Sequence, residues 1–175
     1  MSLTIDLSKL RNRVGTKETI NLVTKEIPFL EDITLFKPLS LELQVLNLGF
    51  IYDLKGTLST ELKTTCSRCL KDMTFELTAT FEEKLINATD LFKVEEIDQK
   101  QIEEEYRVFN KDDKVDITEI VVEHFFNALP FKFLCSAHCQ GICSKCGKNL
   151  NYEKCNCIIA EIDPRLAILA NLKQD

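Results

Sequence analysis

The sequence predicts an α+β protein, with a mainly antiparallel β-sheet that carries one main helix and is followed by a cysteine-rich segment and a short C-terminal helix. Three observations lead to this prediction: alternating apolar and polar residues over 57–81, an apolar stripe at helical spacing over 117–128, and six of the eight cysteines after residue 134. With 175 residues and 45% hydrophobic side chains, the chain can bury a core without disulfides.

The strands are predicted in the first half of the chain. Residues 19–27 and 39–54 are rich in β-branched and aromatic side chains, with Pro28, Pro38 and Gly49 as interruptions. Alternation then gives each of the next two segments, 57–65 and 74–81, one buried face: Leu58, Thr60, Leu62 and Thr64 in the first, and Phe75, Leu77, Ala79 and Phe81 in the second. These segments form a hairpin whose tip carries two cysteines.

The main helix is predicted to begin at Asp116, because Asp116 and Glu119 have the spacing of a capping box. Pro130 ends this helix. His124 lies beside the apolar stripe, and we interpret it as a partly buried or solvent-edge histidine on a core helix rather than as a ligand or catalytic residue. The stripe itself consists of Ile117, Ile120, Val121, Phe125 and Ala128.

Two domains follow from this pattern. Residues 1–130 are expected to form the sheet domain, with an exposed acidic excursion at about 86–114. Residues 131–175 are expected to form the cysteine-rich segment and the C-terminal helix, packed on or next to the sheet domain. Asp163 and Pro164 suit the N-cap and the first position of that helix, which is predicted for 163–172.

The charge pattern limits the classes of partner. The net charge is −6, and residues 82–124 carry fourteen acidic and six basic side chains. Phosphate contacts by Lys and Arg supply most nucleic-acid affinity, so any RNA contact of this acidic chain must be local. No apolar run is long enough to cross a bilayer and the first residues lack the features of a secretory signal. We therefore expect a cytoplasmic protein without membrane association.

In a reducing compartment, clustered cysteines are more often metal ligands than disulfide partners. The pair Cys66/Cys69 and the pair Cys143/Cys146 have the spacing with which a tight turn supplies two corners of a tetrahedral zinc site. Gly147 follows the second pair and suits a turn with positive φ, whereas Leu70 after the first pair is a poorer fit.

Two structural zinc sites are predicted, which makes the cysteine-rich segment zinc-binding. The second site closes locally with Cys143, Cys146, Cys155 and Cys157, and the first joins Cys66 and Cys69 to the remaining pair, Cys135 and Cys139. Two alternatives stay open: His138 can replace Cys139, and Cys139 can exchange with Cys143. An iron–sulfur cluster is disfavoured because no spacing matches the ferredoxin runs.

No enzymatic activity is expected. Sites closed by four thiolates leave no position for water, and the sequence has neither a Gly-rich phosphate loop nor a Gly-x-Ser-x-Gly motif. A thiol oxidoreductase would require a lowered pKa at Cys66 and rapid alkylation of the metal-loaded protein. Because Cys66 follows one strand and precedes another instead of opening a helix, we expect neither.

Several blocks of the sequence resemble the YceD-like family from about residue 40 to the C-terminus. Ser144 stands where the family usually has a proline, a departure that keeps both thiols of the pair. The blocks are Gly56-Thr-Leu-Ser-Thr60, Cys66-Ser-Arg-Cys-Leu70, Leu129-Pro130, Cys139-Gln-Gly-Ile-Cys-Ser-Lys-Cys-Gly-Lys-Asn-Leu-Asn151 and Asp163-Pro-Arg-Leu-Ala-Ile-Leu169.

The resemblance implies a non-enzymatic factor for accumulation of 23S ribosomal RNA and biogenesis of the large ribosomal subunit in bacteria and plastids. Its partner would be ribosomal RNA or a pre-large-subunit particle. Cations near the two cysteine pairs are candidates for phosphate contacts, namely Arg68, Lys71, Lys145, Lys148 and Lys154. The alternative is a zinc-stabilised protein–protein interaction module, whose acidic segment 82–124 and helix 163–172 bind a basic ribosomal protein or an RNA maturation enzyme.

Overall fold

The computed structural model describes residues 2–26, 33–93, 105–110 and 112–157. The chain divides into two compact units. The sheet unit comprises Met1–Thr64 and Met73–Phe131, and the cysteine unit comprises Thr65–Asp72 together with the chain from Lys132 onward. The hairpin tip therefore belongs to the same unit as the cysteine-rich segment. The helix predicted for 163–172 lies outside the described residues.

The strands are β1 Thr4–Asp6, β2 Lys17–Thr24, β3 Thr34–Asn47, β4 Ile51–Thr65, β5 Asp72–Asn87, β6 Arg107–Phe109 and β7 Lys114–Asp116, with a 3-10 helix at Ala88–Lys93 and helix α1 at Thr118–Ala128. Within the described ranges, the sheet unit is built on a five-stranded sheet of order β2-β3-β4-β5-β6 and a two-stranded sheet of β1 and β7. The pairs β1–β7, β2–β3 and β3–β4 are antiparallel, and β5 pairs with β6 in parallel.

The predicted mainly antiparallel sheet with one main helix is confirmed. Alternate residues of β4 and β5 are buried as the apolar pattern indicated, and the apolar stripe of α1 joins them in one core. Phe125 of α1 and Leu58 of β4 are both fully buried. Because successive side chains of a strand alternate between its faces, the opposite face of the sheet is polar and exposed.

Two residues that usually weaken strands have local explanations. The register of β3 against β4 shifts between Lys37 and Ser40, and Pro38 lies at this irregularity, where a missing backbone donor is tolerated. A Cβ on Gly56 would lie 2.1 Å from Cζ of Phe81, so the Phe81 ring occupies the space that a side chain at position 56 would need. Gly56 is therefore required by packing.

The capping-box prediction was wrong. Helix α1 begins at Thr118, with Ile117 at the N-cap position and no side-chain cap. Asp116 is the last residue of β7, and its pairing with Thr4 of β1 keeps it extended. Its Oδ1 accepts a hydrogen bond from the Thr118 amide at 2.9 Å, which is a local turn rather than a cap.

The predicted exposed excursion at about 86–114 was too wide. Ile86 is a buried residue of β5, and the 3-10 helix follows immediately. Tyr106 and Phe109 are each 8% exposed, and β6 extends the sheet. A strand of three residues is too short to produce a periodic signal, which is why the sequence did not reveal it. Within the part of the chain that the structure describes, no helix has the length and apolar character needed to cross a membrane.

Candidate metal centre

The eight cysteines form two groups of four, both in the cysteine unit. Within each group all sulfur atoms lie within 4.8 Å of one another. Cys139 belongs to the first group rather than exchanging with Cys143, and His138 is exposed and belongs to neither. The first group is Cys66, Cys69, Cys135 and Cys139, and the second is Cys143, Cys146, Cys155 and Cys157, as the spacing favoured.

The sulfur separations fit a tetrahedral metal centre. The Sγ atoms of Cys66 and Cys139 are 3.8 Å apart, and those of Cys69 and Cys135 are 3.6 Å apart. Zinc bound to four thiolates at about 2.3 Å separates neighbouring sulfurs by about 3.8 Å, whereas a disulfide requires about 2.05 Å. All eight cysteines are free. The arrangement could therefore hold one divalent ion in each group.

The two turns that carry the cysteine pairs have the same backbone geometry. In the first, the Cys66 amide donates to the Lys71 carbonyl and the Leu70 amide donates to the Cys66 carbonyl, both at 2.9 Å. The turn at Cys143 repeats these two bonds at 2.8 and 2.9 Å. The residue after the second cysteine has a positive φ in both turns, +72° at Gly147 and +57° at Leu70. Leu70 thus adopts the turn that its sequence was expected to fit poorly, at a cost of about 1–2 kcal/mol.

Backbone contacts fix the first group to the segment after the sheet unit. The Ser67 amide donates to the Phe133 carbonyl at 2.8 Å, and Nη1 of Arg68 donates to the Cys139 carbonyl at 3.0 Å. Gly141 has φ +75°, and a Cβ there would lie 3.1 Å from the Arg68 carbonyl oxygen. A side chain at position 141 would therefore be both strained and crowded.

Asn151 supports the first group, and sequence reasoning did not identify it. Its Nδ2 lies 3.4 Å from Sγ of Cys139, and its Oδ1 accepts from the Gln140 amide at 2.8 Å. Asn149 in turn accepts from the Asn151 amide at 3.0 Å. The sequence did contain a signal, namely Asn149 and Asn151 after the second turn. Asparagine favours turns in which its side chain accepts a hydrogen bond from the backbone amide two residues later.

One thiol in each group is strongly acidified. The amides of Cys135 and Cys69 lower the pKa of the Cys66 thiol to about 6, and amides of its own turn lower the pKa of Cys143 to about 6. The expectation that Cys66 would have no lowered pKa was wrong, because amides that converge on its sulfur replace those of a helix N-terminus. Cys66 is nevertheless 0% exposed, which separates it from the accessible thiolate of an oxidoreductase.

Another thiol in each group resists ionisation. The neighbouring thiols of Cys69 and Cys139 raise the pKa of Cys135 to about 12, and the adjacent thiols of its group raise that of Cys157 to about 12. Four thiolates this close repel one another, so they cannot all ionise without a compensating cation. A divalent ion at the centre of each group would remove this repulsion.

The five candidate cations all lie in the cysteine unit and are exposed. Arg68 donates to the backbone carbonyl of Cys139. Two of the lysines have side-chain partners: Nζ of Lys71 is 3.1 Å from the Tyr152 hydroxyl, and Nζ of Lys148 is 3.4 Å from the Glu153 carboxylate. The other two, Lys145 and Lys154, form no ion pair with any residue that the structure describes. The described part of this unit carries six basic and two acidic side chains, a formal charge of +4 in a chain of −6.

His124 is a partly buried residue of helix α1, as predicted. Its ring stacks on Phe81 at 4.7 Å and is 23% exposed. Its Nε2 lies 2.8 Å from Oε1 of Glu83, and Nε of Arg107 lies 3.2 Å from Oε2 of the same carboxylate. Burial would raise the pKa of Glu83, but the hydrogen bonds from His124 and Arg107 outweigh it and lower this pKa.

Comparison with known proteins agrees with this site. The model of the family described as large ribosomal RNA subunit accumulation protein YceD matches residues 54–173, a range that includes both cysteine groups. The chain is also similar to the chloroplastic large ribosomal RNA subunit accumulation protein YCED homolog 1 of Arabidopsis thaliana, with 33% identity over 61 residues. That alignment covers 35% of this chain and 19% of the relative, so the chain spans about a fifth of the relative's length. No solved structure matches the chain. The family model covers more than half of the sequence, and the chain belongs to the YceD family of large ribosomal RNA subunit accumulation proteins.

Proposed function

We propose that both cysteine groups bind structural zinc. The described part of the cysteine unit has 34 residues, and its buried hydrophobic side chains are the four cysteines Cys66, Cys69, Cys139 and Cys143 alone. Small folds that bury few apolar side chains are usually stabilised by a metal or by disulfides. Eight convergent thiols supply the donors that zinc prefers, and the sulfur separations match its bond lengths.

We propose further that the protein supports accumulation of 23S ribosomal RNA and biogenesis of the large subunit by binding ribosomal RNA or a pre-large-subunit particle through the cysteine unit. The observation that carries this proposal is the cluster of exposed cations in that unit, whose described part has six basic and two acidic side chains within an acidic chain. Local positive charge is what phosphate contacts require. The protein acts where large subunits are assembled, which we take to be the cytoplasm.

Metal loading changes the charge of the unit but not the position of its cations. Each zinc ion with four thiolates adds a formal −2, so two loaded sites bring the described part of the unit from +4 to zero. Four of the eight thiols are buried, whereas all five candidate cations are exposed. A phosphate that approaches the surface can therefore contact these cations, and the net attraction is modest.

The zinc ions brace the unit and perform no chemistry in this proposal. Four thiolates around each ion leave no coordination position for water and make the ion a weak Lewis acid. The role of the cysteine groups is to hold the hairpin tip, the segment that follows the sheet unit and the second turn in one rigid arrangement. Rigid placement of cations lowers the entropic cost of each phosphate contact.

Sedimentation with pre-large-subunit particles at low salt tests the phosphate contacts. The five candidate cations are replaced by glutamine in one variant, and five exposed cations of the sheet unit are replaced in a matched control: Lys9, Arg13, Lys17, Lys25 and Lys114. The first variant is expected to leave the particle fraction, and the control is expected to stay in it. Direct phosphate contact is wrong if both variants sediment as the natural protein does.

The alternative protein-interaction module predicts a different result, and the acidic net charge of −6 is the observation that favours it. Affinity purification with and without nuclease separates the two functions. A ribosomal or RNA-processing protein that stays bound after RNA digestion supports the module, and loss of all partners after digestion supports the RNA contact.

A further inference from the structure

Tyr152 is an exposed aromatic side chain on a tightly held loop of the cysteine unit. The side chain is 70% exposed, so at least one face of its ring is accessible. The amides of Tyr152 and Glu153 both donate to the Asn149 carbonyl, at 3.2 and 3.0 Å, and the Leu150 amide donates to the Gly141 carbonyl at 2.9 Å. The loop around Tyr152 is therefore preorganised, and it carries a largely exposed aromatic side chain.

The position of Lys71 leaves the ring of Tyr152 accessible. Nζ of Lys71 is 3.1 Å from the Tyr152 hydroxyl and 5.6 Å from the ring centroid, so the ammonium lies at the hydroxyl end rather than over the centre of the ring. The hydrogen bond fixes the orientation of the ring, and the ammonium remains exposed beside it. An aromatic face with a cation at its edge is the arrangement that stacks a base and contacts the adjoining phosphate.

Leu70 adds a second exposed apolar side chain next to Lys71. It is 64% exposed and has φ +57°, a conformation that glycine adopts without cost at the corresponding position of the other turn. Leu70 therefore stabilises the fold neither through its backbone, which is strained, nor through its side chain, which is exposed. Strain of this kind is concentrated at binding sites, where the surrounding structure maintains it.

We propose that Tyr152 stacks on an unpaired base of the bound RNA, with Leu70 and Lys71 flanking the base. This inference rests on the proposed RNA contact and deepens it by naming single-stranded RNA as the form that is bound. Unpaired bases expose the faces on which aromatic side chains stack, whereas the bases of a duplex do not. The exposed cations of the unit, with Lys71 beside the ring, favour an RNA strand over an apolar peptide, because a nucleic acid combines regular negative charge with planar rings.

Binding of a short fluorescein-labelled oligouridylate to the zinc-loaded full chain tests the proposal. Tyr152→Leu is expected to raise Kd about 5- to 150-fold, the range observed when a stacked aromatic is removed, without changing the dependence of Kd on salt. Tyr152→Phe keeps the ring and is expected to bind within about twofold of the natural protein. Phe92→Leu is the matched control, because Phe92 is a 66% exposed aromatic of the sheet unit. Native mass spectrometry checks that each variant keeps two zinc ions.

Tyrosine fluorescence gives a readout that needs no destabilising substitution. The chain has no tryptophan and three tyrosines, of which Tyr52 and Tyr106 are 5% and 8% exposed. Stacking of a base on Tyr152 is expected to quench part of the tyrosine emission of the natural protein. The same titration of Tyr152→Phe corrects for light absorbed by the RNA and is expected to show no specific quenching.

The outcomes separate the stacking site from the proposed function. If the natural protein binds RNA but Tyr152→Leu binds equally well, or if binding produces no quenching, the stacking site is wrong and the phosphate contact stands. Equal affinity for a duplex of the same length also overturns the stacking site. The natural protein could instead bind neither the single-stranded oligouridylate nor the duplex, and keep a protein partner after nuclease treatment. If Tyr152→Leu loses that partner, the surface binds a protein, and both proposals are wrong.

Discussion

Replacing one cysteine in each group tests whether the first metal centre joins distant parts of the chain. In Cys69→Ser the lost centre connects Cys69 with Cys135, which are 66 positions apart. In Cys157→Ser the lost centre is local, and its widest gap joins Cys146 to Cys155, which are nine positions apart. A bound metal stabilises the fold by the difference between its affinity for the folded and for the unfolded chain. We expect Cys69→Ser to be the more destabilising change.

The size of the difference follows from loop closure. An unfolded chain that gathers ligands across 66 residues rather than nine loses additional entropy worth about (3/2)RT ln(66/9), or about 1.8 kcal/mol. The unfolded chain can therefore bind metal at the local group about 20-fold more easily, and the local centre contributes correspondingly less to folding. For a protein of this size, about 1.8 kcal/mol corresponds to about 4–7 °C in Tm.

Thermal unfolding of both variants at equal total zinc measures this difference. Each variant removes one thiol, and native mass spectrometry should show one zinc ion instead of two in both. The two variants then differ in which of the two centres is lost. Cys69 is 6% exposed and Cys157 is more exposed, so lost packing adds to the effect in the same direction. Equal losses in Tm, or a larger loss for Cys157→Ser, would refute the assignment of a long-range and a local centre.

Three further predictions concern single side chains. Gly56→Ala should lower the free energy of unfolding by about 1–3 kcal/mol in urea, because the new Cβ would lie 2.1 Å from the Phe81 ring, and adding Phe81→Leu should recover part of this loss. Gly147→Ala, where φ is +72° and no atom lies within 4 Å of the new Cβ, should cost about 1–2 kcal/mol from backbone strain alone, and an unchanged urea midpoint would contradict the turn. Because the pKa of Glu83 is lowered in the folded state by His124, its contribution is present above the ordinary value of 4.5 and is lost as pH falls through the folded pKa, so Glu83→Gln should lower Tm at pH 7 and the difference should shrink below about pH 4.5.

The elements that the sequence predicted well have repeated or strictly spaced signals. The alternation of apolar and polar residues in β4 and β5 repeats many times, and the apolar stripe of α1 repeats over about three helical turns. A few exceptions therefore do not obscure either pattern. The partition of the cysteines could be predicted because Cys143, Cys146, Cys155 and Cys157 close locally, which leaves the remaining four for one long-range group. That partition needed no knowledge of the sheet topology.

The features that the sequence did not predict depend on contacts between distant residues. The start of α1 is set by the pairing of β7 with β1, which overrides the capping signal at Asp116. The left-handed backbone at Leu70 contradicts its own propensity, because the two turn hydrogen bonds and the sulfur positions determine it. The sulfur of Cys66, whose pKa is lowered, accepts a hydrogen bond from the backbone amide of Cys135. These two residues come close only when the cysteine group has formed.

The proposed zinc ions would give the two units different sources of stability, and this difference bears on where exposed apolar side chains can occur. The sheet unit buries a large apolar core, so its aromatic residues are mostly used for packing. In the described part of the cysteine unit the buried hydrophobic residues are cysteines, so the proposed zinc ions would supply there the stability that packing supplies in the sheet unit. Leu70 and Tyr152 are then free to remain exposed, because neither is needed for a core. Removal of metal with a chelator should therefore abolish the proposed RNA binding, measured with the same labelled oligouridylate, by disordering the surface that presents these side chains, although neither of them belongs to a cysteine group.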